Sequence, residues 1–167
     1  EYAIEIGLRD DNPTDKLRME APKGRNQVWT TEEISAVIKA AQKAGKHPKS
    51  GNHIPARPSA ALATQLAYNL GQRQQDILAL KWSQYDGEGI SLVQKKTGKA
   101  LWLPLTEDSI AMLEETDKTS TYIVVSEETK QPYSDRNVFS RIFRRFRDRA
   151  EVRSELTFMD LRRTAAT

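Results

Sequence analysis

Gly71-Gln72-Arg73-Gln74-Gln75-Asp76-Ile77-Leu78-Ala79-Leu80-Lys81-Trp82-Ser83 is the stretch on which the fold of this chain turns. Just before it, Ser59 to Leu70 is rich in alanine and carries Leu62, Leu66 and Leu70 at helical spacing, and Gly71 suits the end of that helix. A second helix is expected from about Gln74 to Lys81, with Ile77, Leu78 and Leu80 apolar. Arg73 therefore falls in the break between two helices, where a tight turn projects it outward. Beyond it the period changes from helical to alternating. Ile90 and Leu92 alternate with Ser91 and Val93, Leu101, Leu103 and Leu105 alternate with Trp102 and Pro104, and Thr97-Gly98 lies between the runs. That pattern predicts a β-hairpin, with a third short strand near Trp82 to Asp86.

Upstream, Thr30-Thr31-Glu32-Glu33 offers a capping box, Thr30 to the third amide of a helix and Glu33 back to the cap. Ile34, Val37, Ile38 and Ala41 fall on one face of that helix and Gly45 marks its end. His47 to Pro58, with three prolines and Gly51, reads as a loop. Residues 1 to 12 end in Asn12-Pro13, a turn signal, and residues 13 to 27 are polar with Pro22 and Gly24, the composition of a linker. Downstream, a short helix is expected from about Thr106 to Glu115 and an extended piece at Tyr122 to Val125. Ser134 then opens a helix with Phe139, Ile142, Phe143, Phe146 and Ala150 on one face and Arg141, Arg144, Arg145 and Arg149 on the other.

Two further stretches carry chemistry. Lys95-Lys96-Thr97-Gly98-Lys99 places Lys96 23 residues after Arg73, and Leu156-Thr157-Phe158-Met159-Asp160-Leu161-Arg162-Arg163-Thr164 places an arginine close to the end of the chain. Taken alone, a turn lysine is a solubilising group and an arginine at a helix boundary is a solvated one. The order of the three stretches is what is specific. Arginine, hairpin lysine and a terminal arginine box, in these contexts, resemble the catalytic domain of the tyrosine recombinases of the phage-integrase type over most of residues 28–167.

That resemblance implies a fold and a chemistry. The fold is a mostly helical α+β domain with a small antiparallel β-sheet at one side. Residues 1–12 correspond to a remnant of the preceding DNA-clamping domain, 13–27 to the linker and 28–167 to the catalytic domain. The implied reaction is strand cleavage and rejoining through a 3′-phosphotyrosine link, without metal or other cofactor, serving integration or excision of a phage or mobile element. Arg73 and Arg162 are then the cations that offset charge on the non-bridging phosphate oxygens, each holding two oxygens at once. Asp76 orients Arg73, and Lys96 gives a proton to the departing 5′-oxygen. Lys95, Lys99, Arg141, Arg144, Arg145 and Arg163 are expected on the DNA backbone. The family commonly has His-x-x-Arg in the third box. Here Met159 stands at the histidine position and can neither donate a strong hydrogen bond nor shuttle a proton, unless it is simply a core methionine. The nucleophilic tyrosine is expected after Thr167, because Tyr2, Tyr68, Tyr85, Tyr122 and Tyr133 all precede Arg162.

Composition sets the outer limits. The chain has 167 residues, no cysteine and a formal charge of +3. A disulfide framework and thiolate metal sites are thereby excluded, and His47 and His53 lack cysteine or carboxylate neighbours in sequence. The charge is unevenly spread: +2 over residues 1–60, −4 over 61–135 and +5 over 136–167, where every basic group is arginine. No run approaches the roughly 20 apolar residues of a membrane span, so a soluble, intracellular protein is expected, and the resemblance implies a cytoplasmic, nucleoid-associated one. The resemblance also implies double-stranded DNA as the partner, a homotetramer on DNA for the full-length protein and no small-molecule substrate. Two other readings stand beside the enzyme. One is a catalytically idle DNA-binding module related to integrases; the other is a helical domain whose arginine face binds an acidic protein.

Overall fold

In the computed structural model, residues 2–13, 24–93, 98–133 and 135–167 are described. After a short helix α1 (Tyr2–Glu5), the elements are α2 (Thr31–Gln42), β1 (Gly45–Lys46), β2 (His53–Ile54), α3 (Pro58–Leu70) and α4 (Gln74–Leu78). A 3₁₀ turn (Trp82–Gln84) leads into β3 (Gly89–Val93), β4 (Ala100–Pro104), α5 (Glu107–Glu114), α6 (Arg136–Arg149) and α7 (Asp160–Thr164). The mostly helical α+β architecture is the expected one.

Helix α3 is the hub. Ala60, Ala61, Leu62, Ala63, Leu66, Ala67 and Leu70 are all buried, and its polar Thr64 and Gln65 are buried too. A helix buried over most of its surface has to be surrounded, and α2, α4, α5, α6 and α7 all pack on it. The two polar groups are satisfied locally, Thr64 Oγ1 donating to the Ala60 carbonyl at 2.7 Å and Gln65 Nε2 to Ser109 Oγ at 3.2 Å. Pro58 begins the helix, where its missing N–H costs nothing, and Gly71 ends it at φ 60°.

The capping box of α2 forms as its sequence requires: Glu33 N–H donates to Thr30 Oγ1 at 3.2 Å and Thr30 N–H to Glu33 Oε2 at 3.0 Å. Helix α6 presents Phe139, Phe143 and Phe146 to the core. Edge-to-face contacts link Trp29, Phe143, Phe158, Phe139 and Tyr133 into one aromatic chain, with centroid separations of 5.1 to 5.8 Å. Each such contact adds about 0.5–1.5 kcal/mol beyond burial.

The hairpin is antiparallel from Gly89↔Pro104 to Val93↔Ala100. Ile90 and Leu92 face the core while Ser91 and Val93 face out, as the alternation demands. Elsewhere four expectations are corrected. The expected third strand is instead the 3₁₀ turn at Trp82–Gln84, because Gln84 Oε1 accepts from the Lys81 N–H and tightens it; its strand-like pairing among the described residues is limited to the isolated bridges Lys81↔Tyr122 and Tyr85↔Ile90. Helix α4 stops at Leu78 rather than Lys81, since Leu80 joins Ile123 by a backbone hydrogen bond. Within His47–Pro58, His53 and Ile54 are not loop but pair with Gly45 and Lys46. The cap of α6 is Asp135, whose Oδ1 accepts the Asn137 N–H at 2.7 Å; Ser134 lies outside the described residues.

Candidate active site

The turn after α3 and the terminal helix α7 meet. Gly71 carries the positive φ, and a Cβ placed on it would lie 3.3 Å from the Ala165 Cβ and 4.0 Å from the Arg162 carbonyl oxygen. Glycine is required here twice over, by conformation and by the approach of α7. Two residues on, Arg73 occupies the cap position of α4 in extended conformation. The first and third boxes, 89 positions apart in sequence, are thus neighbours in space.

Both arginines are half-buried and incompletely satisfied. Arg73 Nη1 and Arg162 Nη1 are shielded from solvent and have no hydrogen-bond partner. Arg73 Nη1 stands 3.9 Å from Asp76 Oδ2, close enough for ionic attraction and too far for a hydrogen bond, so that buried oxygen is unpartnered as well. A buried unmade hydrogen bond costs about 1–3 kcal/mol. Both donors lie on elements that meet at Gly71.

Around Arg162 the third box is tightly bound. Asp160, with a side chain only 5 % exposed, takes a fork from Arg25, Nε to Oδ1 at 3.1 Å and Nη2 to Oδ2 at 2.8 Å. Its Oδ2 also accepts the Thr157 N–H at 2.8 Å and the Thr157 hydroxyl at 2.7 Å. Burial pushes the carboxyl up, but the Arg25 fork and the Thr157 donors outweigh it and hold Asp160 below the ordinary aspartate range. Thr157-x-x-Asp160 has the spacing of a capping box, a signal legible in the sequence; nothing in the sequence points to Arg25, 135 positions away.

Met159 is 66 % exposed, so it is not a core methionine; it stands at the mouth of the site beside Arg162. Lys99, Arg141, Arg144, Arg145 and Arg163 are exposed and make no ion pair with a described residue. Arg136 and Arg144 rim a hollow of ≈ 440 Å³ floored by Phe143, Leu156 and Phe158. Arg149, expected on the free arginine face, is instead spent on structure: its guanidinium donates to the Lys43 and Ala44 carbonyls after α2. Arg147 is buried and donates to the Leu156 carbonyl at 2.9 Å. Lys95 and Lys96 lie outside the described residues. Among the described residues no group of three or more His, Asp or Glu is placed to hold a metal ion, and no helix is long and apolar enough to cross a membrane.

The two half-buried arginines thus stand where the turn after the largely buried helix α3 meets α7. Residues 27–167 match the phage integrase family, and the chain belongs to it. Its fold is similar to that of a lambda integrase tetramer bound to a Holliday junction, with 25% identity, 99% of this chain and 48% of that one covered, and a TM-score of 0.73. A lambda integrase dimer bound to a COC′ core site is similar to the same degree: 25% identity, 99% and 47% covered, TM-score 0.74. XerH site-specific recombinase bound to its difH substrate shares the fold at 16% identity, with 98% and 49% covered and a TM-score of 0.62. The chain spans about half the length of these solved structures. No curated protein sequence matches it.

Proposed function

We propose that this chain supplies the phosphate-activating centre of a site-specific tyrosine recombinase acting on double-stranded DNA. Arg73 and Arg162 bind the scissile phosphate through its non-bridging oxygens. The observation that carries the reading is their two buried, unpartnered Nη1 donors on elements that touch at Gly71. In the reaction a tyrosine hydroxyl oxygen, from outside residues 1–167 or from a partner, bonds to phosphorus as the P–O5′ bond breaks. The tyrosine proton leaves to a base, and the 5′-oxygen takes up a proton from Lys96. Rejoining is the reverse, with the 5′-hydroxyl attacking the phosphotyrosine. Charge accumulates on the non-bridging oxygens in both directions, so fixed guanidinium groups serve both. With Met159 at the mouth of the site, that position supplies no imidazole.

Lys95, Lys99, Arg141, Arg144, Arg145 and Arg163 hold the DNA backbone, and the protein assembles as a tetramer on DNA. Residues 28–167 form the catalytic unit, 13–27 the linker, and 1–12 part of a separate unit; the exposure of Tyr2, Ile4, Ile6 and Leu8 supports that division, since these side chains join no core. The product is a rearranged DNA in the nucleoid of a bacterial or phage-infected cell.

The test is single-turnover cleavage of a core-site duplex by the whole protein and its Arg162→Ala variant. Cleavage by wild type and its loss, by roughly 100-fold or more, in a folded variant is expected. Binding of duplex by a whole protein that never forms a phosphotyrosine link would instead establish an idle DNA-binding module.

A further inference from the structure

Residues 25–29 run along one side of α7 and are fastened to it near both ends. At one end Arg25 forks onto Asp160, the first residue of the helix, and also donates to the Glu155 carbonyl. At the other, the Trp29 N–H donates to Thr164 Oγ1 at 2.9 Å and its indole Nε1 to the Thr157 carbonyl at 3.1 Å. Thr164 in turn donates to the Asp160 carbonyl at 3.1 Å, which closes the frame across one turn of helix. Arg162 lies between these fasteners.

We propose that Arg25 and Trp29 form a strap that positions Arg162, so that the segment entering the catalytic domain sets where the third box's guanidinium points. The inference rests on the reading of Arg162 as a phosphate-binding cation and adds the residues through which that cation is aimed. A helix of five residues cannot hold itself, because isolated helices shorter than about 12 residues are marginal in water. The orientation of α7 is therefore set by what it packs against. That is α3 and the Gly71 turn, together with the strap.

Asp160 is the coupling group. Four hydrogen bonds converge on its carboxylate, two from Arg25 and two from Thr157. Withdrawing the guanidinium leaves a buried carboxylate without its counter-ion, a state that reorganises or protonates rather than persisting. Either response shifts the start of α7, two residues from Arg162. Arg25, Asp160, Arg162 and Arg163 also line one hollow of ≈ 410 Å³, so a displacement at Arg25 is felt in the same space that Arg162 faces. Arg25 is a positioning residue in this account, not a group that touches the phosphate.

Two readouts test the strap. In the ¹⁵N-labelled chain of residues 1–167, the Nε–Hε resonance of Arg162 is compared among wild type, Arg25→Ala and Arg25→Lys, with circular dichroism and the Trp102 indole resonance of the distant hairpin reporting that the fold persists. Arg25→Ala is expected to shift or broaden the Arg162 signal, and Arg25→Lys, which keeps charge but loses the fork, to do so less. An unmoved Arg162 signal in a folded Arg25→Lys or Arg25→Ala chain overturns the proposal. In the whole protein at saturating duplex, Arg25→Ala is expected to slow single-turnover cleavage about 10- to 100-fold, the scale of a misplacement of roughly 1 Å, with duplex affinity within about two-fold of wild type. Weaker binding with a normal rate once bound also overturns it and makes Arg25 a phosphate contact. If the wild-type protein forms no phosphotyrosine link, the proposed function fails while the resonance comparison still decides the strap.

Discussion

The arginine side of this domain and its hairpin side are built on opposite plans. Around Arg162, a helix of five residues is gripped by α3, by the Gly71 turn and by residues 25–29, and even its buried carboxylate is saturated with donors. The hairpin β3–β4 buries one face only; Val93 is 62 % and Trp102 51 % exposed, and a single exposed carboxylate, Asp86, ties Trp102 Nε1 at 2.8 Å. The difference matches the tasks proposed for the two sides. Charges that offset a transition state act best when they need not move, so they belong in a braced helical body. A proton donor has to approach the leaving oxygen at close range, the task proposed for Lys96 in the sequence between β3 and β4.

That contrast puts the largest effects on the braced side. Arg73→Ala or Arg162→Ala in the whole protein should leave a folded molecule whose cleavage is lowered by roughly 100-fold or more. Circular dichroism checks the fold and gel quantification of the phosphotyrosine product checks the rate. Equal cleavage by both variants and wild type would remove the arginine pair from the chemistry.

Lys96 probes the other side. Its loss should slow cleavage by roughly 10²- to 10⁴-fold on the natural substrate, the range of general acid catalysis, and should be rescued when the scissile bridging oxygen is replaced by sulfur, because a thiolate leaves without protonation. Arg73→Ala should gain nothing from sulfur. An equal defect on both substrates makes Lys96 a positioning contact and dissolves the distinction between the two sides.

Gly71→Ala attacks the junction rather than either cation. The substitution forces an L-residue to φ 60°, a cost of about 1–2 kcal/mol, and sets its Cβ 3.3 Å from Ala165. We expect a lowered denaturation midpoint together with slower cleavage, since α7 must shift to make room. The equivalent Gly98→Ala, at φ 66° in the hairpin with no described atom within 4 Å of the added Cβ, should cost stability by conformation and leave the geometry of Arg162 unchanged.

What the sequence disclosed follows the same division. The capping box at Thr30, the glycine stop at position 71 and the alternation of β3 and β4 are local signals, and each formed as read. Helix α6 was legible from its phenylalanines, but which of its arginines are free was not. Arg149 reaches carbonyls 105 and 106 positions away and Arg147 folds back on Leu156, contacts that no spacing rule encodes. The 3₁₀ turn at Trp82 replaced an expected strand because one glutamine side chain captured a backbone N–H. In the site, the order of the three boxes was visible, whereas the strap was hidden: Arg25 lies in a stretch whose proline, glycine and polar composition says linker.

The smallest effect is the most discriminating, because each side carries one carboxylate with a depressed pKa. Asp86 is held down first by the Trp102 indole N–H and then by the Glu88 and Gly89 amides; Asp160 is held down by Arg25 and Thr157 against the opposing push of burial. For both, the folded protein favours the charged form more than the unfolded chain does. The stability this contributes is present in full above the unfolded aspartate value of about 3.9, and it is lost as pH falls through the still lower folded values. Urea midpoints measured between pH 6 and pH 3 should therefore fall for wild type. Asp160→Asn should lower the midpoint at pH 6 and flatten the acid limb, since the buried amide can no longer answer the Arg25 fork with charge. Asp86→Asn should do the same only weakly, because its carboxylate is exposed and screened by solvent. The cleavage rate separates the two more sharply: on the braced side, lost charge at Asp160 should slow the reaction along with the loss of stability, whereas Asp86→Asn should leave the rate of bound enzyme within about two-fold of wild type. A rate more sensitive to Asp86 than to Asp160 would reverse the assignment of which side is rigid for the sake of chemistry.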